Sequence, residues 1–201
     1  MLAVAAEFNA PVTAFLAAAA DTDTAASAPR FHIRWFTTVT EVELCGHSTL
    51  AAAYFLLTGG VVGSGTDAIE FVTLSGMVLT ARLLVKEAGN GKRACNDFSV
   101  HRVDRGGFCI ELDFPVATVE ECVPGEVMPT MPDTLNGASV VNPNFKEIQE
   151  CAKRAMIITG PAPIGSQVDF VTRLFAPNLG VNEDQVCGSV HCALAHTGRR
   201  S

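Results

Sequence analysis

The chain has 201 residues, of which 48% are apolar and only 17% are charged, and its mean hydropathy is +0.29. This composition excludes an intrinsically disordered protein, and no apolar run reaches the roughly 20 residues of a membrane helix. Twenty-one acidic and 14 basic residues give a net charge of −7, without the basic stretches of a nucleic-acid binder. We therefore expect a globular cytoplasmic protein whose partners include neither nucleic acid nor a membrane.

The cysteines indicate a reducing compartment. There are seven of them, without a CxxC pair, and no secretory signal is recognisable at the start of the sequence. A zinc ribbon is therefore not expected, and nothing in the sequence implies a metal or another cofactor. Both ends are expected to be cut, because Met1–Phe8 resembles the last turn of a helix and the sequence stops at Thr197–Ser201, just after an apolar segment has started.

The first half of the chain predicts short strands around one apolar helix. Alternating or β-branched runs predict strands at Val12–Leu16, Phe31–Thr37, Val42–Leu44, Ile69–Thr73 and Met77–Val85. Ser75-Gly76 predicts a hairpin turn between the last two of these strands. Residues 46–58 are nearly all small or apolar and end before Gly59, which predicts a helix that is buried on all sides.

The second half predicts a similar mixture of strands and helices. The polar segment 86–107 and the proline-rich segment 124–132 are expected to be irregular. Strands are predicted at Cys109–Phe114, Met156–Thr159 and Val168–Phe175, and helices at Phe145–Ala155 and Gly188–His196, with a turn between the last strand and the last helix.

Two distant stretches of the chain are similar to each other. Glu41–Ala51 and Glu183–Ala195 both contain Cys-Gly followed by a helix of small residues, and an Arg-x-Phe strand precedes each of them. Glycine permits a tight turn into the helix, whose first N–H groups are unpaired and attract an anion. A thiol at such a position ionises more readily. Two such turns that face each other could therefore bind the carboxylate of one substrate and place acid/base groups on its opposite faces.

These stretches, together with Leu112-Asp-Phe-Pro115, are similar to the PhzF family of phenazine-biosynthesis-like isomerases, over about residues 31–84, 108–118 and 154–196. The resemblance implies an α+β fold of the diaminopimelate epimerase type, with two pseudo-symmetric β-roll halves that each surround a central helix. The first half would be 1–106, with its central helix at about 46–58. Residues 107–201 would begin the second half, whose helix starts at about 188 and which would be incomplete.

The resemblance also implies proton transfer without a cofactor on a small carboxylate-bearing metabolite. Carried over position by position, the residues that act on the substrate are His47, Asp184 and Ser189. The residues implied to bind it through the two turns are Cys45, Gly46, Cys187 and Gly188.

One departure from the family pattern leaves other functions open. The family segment reads roughly N-x-S-E-T-x-F, whereas Asn9–Phe15 has Val12 in place of the glutamate that acts as acid or base. Proton transfer is therefore expected to be impaired. One alternative is an inactive, truncated family member that acts as a binding or partner protein. A second alternative is a racemase or epimerase that uses the thiols of Cys45 and Cys187. A homodimer is a further expectation.

Overall fold

The computed structural model describes residues 1–19, 28–85, 108–120, 141–152, 154–168, 170–186 and 188–197. This part of the chain forms two β-sheets and four α-helices, none of which is long and apolar enough to cross a membrane. In chain order the elements are α1 (Leu2–Phe8), β1 (Thr13–Ala18), β2 (Arg30–Phe36), β3 (Glu41–Val42), α2 (Gly46–Thr58), β4 (Ala68–Val72), β5 (Val78–Val85), β6 (Phe108–Asp113), α3 (Phe145–Cys151), β7 (Met156–Pro161), β8 (Phe170–Ala176), β9 (Val181–Asp184) and α4 (His191–Thr197).

The first sheet has six strands and a buried apolar face. Its strand order is β1-β2-β4-β5-β6, and β3 pairs with the end of β2. β2 and β4 run parallel, whereas β4, β5 and β6 are antiparallel neighbours. Directly paired residues share a face of a sheet. The register accordingly places four buried side chains together in two pairs, Ile69 with Ala81 and Phe71 with Leu79.

The helix α2 begins and ends where the sequence predicts, but the expectation that it is buried on all sides is wrong. Its buried face follows the i, i+3, i+4, i+7 spacing and consists of Thr49, Ala52, Ala53 and Leu56. On the opposite face three large side chains are 42%, 55% and 56% exposed, namely Leu50, Tyr54 and Phe55. Both faces are rich in apolar residues, so polarity does not distinguish them. The small residues mark the buried face, because they allow neighbouring elements to approach the helix closely.

The second sheet is antiparallel, with the strand order β7-β8-β9. Ile148 of α3, Ile158 of β7 and Phe175 of β8 form its buried cluster. Partly buried apolar side chains surround this cluster, namely Val141, Phe145, Ala152, Met156 and Val171. α3 is capped by Asn144, whose Oδ1 accepts a hydrogen bond from the N–H of Glu147 at 3.4 Å. The helix therefore covers one face of this sheet.

The strand β9 is an element that the sequence analysis did not predict. Val181–Asp184 contains asparagine, glutamate and aspartate, which are rare in strands. It forms because it pairs with β8, where Leu174 lies opposite Asp184 and Ala176 lies opposite Val181. Tertiary pairing thus outweighs the intrinsic preference of these residues. The predicted irregular segments 86–107 and 124–132 lie outside the described residues.

The chain divides into two compact units that are not continuous in sequence. One unit comprises Met1–Phe15, Trp35–Ser48 and Val116–Ser201, and the other comprises Leu16–Arg34 and Thr49–Pro115. The segments around Gly46 and Gly188 both belong to the first unit. The two turns singled out by their sequence similarity are therefore parts of one compact body.

Replacing Gly180 by alanine should destabilise the protein more than the same change at Gly76. Gly180 and Gly76 have positive φ, +77° and +81°. The strain of an alanine in this left-handed region should therefore lower the free energy of unfolding of each variant by about 1–2 kcal/mol. At Gly180 the new methyl group would also lie 2.8 Å from Cγ2 of Val39, whereas nothing lies within 4 Å at Gly76. Urea unfolding of the two variants measures the difference. Equal losses of unfolding free energy would contradict this contact.

Candidate active site

The first Cys-Gly turn lies where the chain passes from β3 into α2. Three residues separate Val42, the end of β3, from Gly46, the first residue of the helix. α2 has 13 residues and no acidic side chain in its first turn. The N–H groups at its start therefore have no carboxylate of their own helix to bind. They form the positive end of the helix dipole, where an anion is stabilised.

The second Cys-Gly turn touches the first through its backbone. A methyl group on Gly46 would lie 2.9 Å from the backbone nitrogen of Ser189 and 3.1 Å from the carbonyl carbon of Gly188. In the reverse direction, a methyl group on Gly188 would meet the Cα of Gly46 at 3.6 Å, which is an ordinary van der Waals distance. Gly46 thus has no room for a side chain. Because Gly46 has no side chain, the two turns can approach each other this closely.

Three titratable side chains meet at this contact. Nδ1 of His47 lies 3.6 Å from Sγ of Cys45 and 3.9 Å from Oδ2 of Asp184. The sulfur is almost equally close, at 3.7 Å, to Nε2 of the same ring. Cys45 is buried, whereas the side chains of His47 and Asp184 are 24% and 21% exposed. A small molecule can therefore reach the imidazole and the carboxylate, while the thiol is enclosed.

These neighbours favour the protonated imidazole. The hydrogen bond with Cys45 is the largest cause that raises the pKa of His47 above its ordinary value. Partial burial opposes the rise, and the charges of Cys45 and Asp184 add to it. Imidazole is the side-chain base whose ordinary pKa lies nearest to neutral pH, which makes His47 a candidate for proton transfer.

Asp184 is held in place by β9 and by the turn that follows it. Its backbone lies opposite Leu174 in the β8–β9 register. Its Oδ1 accepts a hydrogen bond from the N–H of Val186 at 3.1 Å, as in an Asx turn. Oδ2 is then the oxygen that faces His47. The carboxylate orientation is thus set by backbone contacts on the strand side of the site.

Arg173 supports the strand just before Asp184. Its Nε and one terminal nitrogen donate to the two carboxylate oxygens of Glu183 at 2.7 and 2.9 Å. Its other terminal nitrogen donates to the carbonyl of Val141, and its guanidinium lies 4.9 Å from the centre of the Phe175 ring. Exposed ion pairs contribute little free energy, but a two-point pair fixes orientation. This arrangement holds β9 against β8.

The structure brings six of the seven predicted site residues together at the contact of the two turns. They are Cys45, Gly46, His47, Asp184, Gly188 and Ser189. Ser189 takes part through its backbone nitrogen, and its side chain is partly buried. Cys187 lies outside the described residues, so the two-thiol alternative stays a prediction.

Ser48 is a polar residue of this region that the sequence analysis missed. It is the third residue of α2 and only 6% exposed, and its Oγ is buried without a hydrogen-bond partner among the described residues. An unsatisfied buried hydroxyl costs about 1–3 kcal/mol unless a ligand or water supplies the partner. The available signal was a polar Ser-Thr pair at the start of an otherwise apolar helix.

Other features of the described residues lie apart from this cluster. Within the described ranges, no group of three or more His, Cys, Asp or Glu side chains is arranged to hold a metal ion. The ring of His191 lies beside that of Phe170 in a tilted arrangement, with ring centres 6.0 Å apart. A cavity of about 720 Å³ lies near the end of α2. It is lined by Leu57, by the glycine-rich loop that leads to Asp67, and by Leu83 of β5. None of the predicted site residues lines it.

The sequence of this chain matches a family model and several curated proteins. The family model of phenazine biosynthesis-like proteins, PhzC-PhzF, matches residues 1–199. A Pseudomonas aeruginosa protein named an uncharacterized isomerase is 32% identical over 196 residues, which make up 96% of this chain and 67% of that protein. A mouse phenazine biosynthesis-like domain-containing protein is 30% identical, and the match covers 96% of this chain and 70% of that protein.

Solved structures agree with the expected fold. A PhzF-family protein of Enterococcus faecalis superposes with a TM-score of 0.66 at 26% identity, and the match covers 99% of this chain and 70% of that chain. The prediction of a diaminopimelate epimerase-like fold is thereby confirmed. The chain spans 67% and 70% of the lengths of the bacterial and mouse relatives. It belongs to the PhzC-PhzF family of phenazine biosynthesis-like proteins.

Proposed function

We propose that this protein is an isomerase that moves a proton at an activated carbon of a small carboxylate-bearing molecule, without a cofactor. The relatives that carry the name isomerase support this assignment. The site supports it because an imidazole and a carboxylate, both partly exposed, lie 3.9 Å apart beside the start of a 13-residue helix. The imidazole and the carboxylate are groups that can transfer a proton, and the helix start is a site that can bind an anionic substrate.

The observation that carries the proposal is the backbone contact between the two turns. It brings Gly46 to within van der Waals distance of Gly188 and Ser189, although 142 positions separate Gly46 from Gly188 in sequence (188 − 46). One substrate could therefore be held by N–H groups from both turns. The carboxylate of the substrate, and the enolate formed from it, would be stabilised by these preorganised donors.

Each side chain then has a defined task. His47 takes the proton from the activated carbon and returns it to carbon, and the electron pair of the broken C–H bond remains on the substrate as an enolate. Asp184 stabilises the imidazolium that forms in between, at 3.9 Å from Nδ1. Ser189 and the backbone N–H groups at Gly46 and Gly188 position the substrate. Ser48 adds a buried hydroxyl without a partner among the described residues.

Val12 favours a second candidate function. It is partly buried immediately before β1, where the family pattern has a glutamate, and its side chain cannot carry a proton. A protein that only binds a carboxylate-bearing metabolite would keep the two turns and dispense with this group. The two functions differ in whether the bound molecule exchanges hydrogen with solvent.

Hydrogen exchange with solvent tests the proposed isomerase. The protein is incubated in D2O with a panel of small carboxylic acids that have an activated C–H bond, including both enantiomers of amino acids and β,γ-unsaturated acids. At least one should take up deuterium, and His47→Asn should slow this uptake by about 10²–10⁴-fold. His32→Asn, at an exposed position of β2, is the matched control and should leave it unchanged.

The same panel also decides the second candidate. A compound that raises the melting temperature but takes up no deuterium would identify a binding protein. In that case Val12→Glu should confer measurable exchange on the compound that binds. Absence of both binding and exchange across the panel would contradict both functions for this chain.

Gly46→Ala should separate the two turns. The methyl group would meet backbone atoms of Gly188 and Ser189 at 2.9–3.2 Å, and a backbone cannot rotate away as a side chain does. We expect a loss of about 1–3 kcal/mol of stability from overpacking, together with loss of substrate binding. Gly63→Ala is the matched control, because its methyl group would have only one neighbour, at 4.0 Å. Thermal unfolding and binding of the same ligand compare the two variants.

The raised pKa of His47 predicts how stability depends on pH. Because the folded chain holds this proton more tightly than the unfolded chain, the stabilisation is fully present below about pH 6.5. It is lost as the pH rises through the higher pKa of the folded state. Urea midpoints of the wild type and His47→Asn, measured from about pH 5.5 to 9, should therefore converge on the alkaline side. A difference that stays constant or grows with pH would contradict the assigned shift.

A further inference from the structure

We propose that Arg173 is a positioning residue that fixes the register of β9 and thereby selects the carboxylate that faces His47, an inference that rests on the proposed function. The selected carboxylate is that of Asp184, and its neighbour in β9 is Glu183. Adjacent side chains of a strand point to opposite faces of the sheet. The register of this one strand therefore decides which of the two carboxylates reaches the imidazole.

The sequence of β9 specifies its register only weakly. The strand has four residues, none of them buried, and Asn182, Glu183 and Asp184 are of types that are rare in strands. Its pairing with β8 is irregular between Leu174 and Ala176. A register is strongly specified where one face of the strand is buried, and a slip by one residue exchanges the two faces. Such a slip in β9 would place Glu183 on the face that Asp184 now occupies.

The guanidinium of Arg173 provides the specification that β9 lacks. Its Nε and one terminal nitrogen donate hydrogen bonds to the two carboxylate oxygens of Glu183, at 2.7 and 2.9 Å. Such a two-point pair fixes the direction of the carboxylate as well as its position. These hydrogen bonds also hold the pKa of Glu183 below its ordinary value, so the pair stays ionised at neutral pH.

Arg173 is itself held in place, so it can act as a fixed reference for β9. It belongs to β8, and its side chain is 22% exposed. Its other terminal nitrogen donates to the carbonyl of Val141, and its guanidinium lies 4.9 Å from the centre of the fully buried Phe175 ring. Glu183 reaches these donors from the face of β9 on which it now lies, and a slip by one residue would turn its side chain away from them.

The position of Asp184 follows from this arrangement. It lies opposite Leu174 in the β8–β9 register, and its Oδ2 lies 3.9 Å from Nδ1 of His47. Arg173 thus acts on the imidazole through the strand. It fixes Glu183, and the alternation of side chains then directs Asp184 to the ring. A lysine at this position would keep the positive charge but could not form the two-point pair.

A double-mutant cycle tests this coupling in the whole chain and without a substrate. The titration midpoint of His47, assigned by NMR with His47→Asn, is measured with and without Asp184→Asn in the wild type, in Arg173→Leu and in Arg173→Lys. In the wild type, loss of the Asp184 charge should lower the midpoint by about half a pH unit. In both Arg173 variants Asp184→Asn should have at most about half of this effect, because the carboxylate no longer faces the ring. Cys45, which also faces His47, is the same in all variants.

Arg30→Leu is the matched control. Arg30 pairs with Glu70 at 2.6 Å between β2 and β4, so it also joins two neighbouring strands of a sheet. In this variant Asp184→Asn should lower the His47 midpoint as much as in the wild type. An equal effect of Asp184→Asn in every variant would overturn the proposal, and so would the lack of an effect in the wild type. If Arg173→Leu does not fold, Arg173→Lys decides the outcome.

Cross-strand backbone contacts, observed by NMR, measure the register directly. In the wild type the backbone of Leu174 should show a contact with that of Asp184. In Arg173→Leu and Arg173→Lys this contact should weaken, and a contact between Leu174 and Glu183 should appear. A Leu174–Asp184 contact that is unchanged in both variants would overturn the proposal.

Deuterium uptake separates the role of Arg173 from the proposed function. With a compound that the wild type exchanges, both Arg173 variants should lower kcat by about tenfold or more and change KM by at most about twofold, because the imidazolium loses its partner. Variants that keep the wild-type rate and pH profile would show that the role of Arg173 is wrong, while the isomerase assignment stands. If the wild type exchanges nothing across the panel, the assignment and the catalytic role of Arg173 fail together. The His47 cycle and the strand contacts then still decide whether Arg173 sets the register.

Discussion

The contact between the Gly46 and Gly188 turns is the constraint on which the site depends. A single methyl group on Gly46 would push against backbone at 2.9–3.2 Å, so the approach exists only because this residue has no side chain. The approach places His47, at the start of α2, beside Asp184, at the end of β9. Cores transmit displacements of this size because they are closely packed. The distances among the titratable groups therefore depend on a backbone contact that involves none of their side chains.

The electrostatics of the site are local. The whole chain carries a net charge of −7, which repels a carboxylate at long range. Salt screens this repulsion over about 8 Å at physiological ionic strength, so the groups at the turns decide binding. The start of α2 provides positive potential there without an acidic residue in its first turn. His47 adds a proton that Cys45 and Asp184 stabilise. The anionic substrate of the proposed function would thus meet positive potential at the start of α2, even though the protein as a whole is acidic.

Much of the fold could be predicted from the sequence because it depends on local signals, whereas the candidate site residues were predicted from the family resemblance. Glycine and the small residues after it fix the start of α2 at Gly46, and alternation fixes β4 and β5 to within one residue. The remaining features depend on neighbours that are distant in sequence. β9 forms because of its pairing with β8, and the two faces of α2 differ because of what packs against them. That the Ser48 hydroxyl has no partner among the described residues likewise cannot be predicted from the sequence, because it depends on what surrounds the side chain.

The two glycines at the contact between the turns differ in how much space surrounds them. This difference affects how the two similar halves of the fold can diverge in sequence. A methyl group on Gly188 meets ordinary contact distances, whereas one on Gly46 does not. After an internal duplication, the first turn would be closed to side-chain variation while the second stays open to it. New specificity in such a lineage would then arise in the half that contains Ser189, and the half that contains His47 would keep its geometry. The two halves of one ancestral motif would thus evolve at different rates because one glycine, Gly46, lies against the backbone of the other turn.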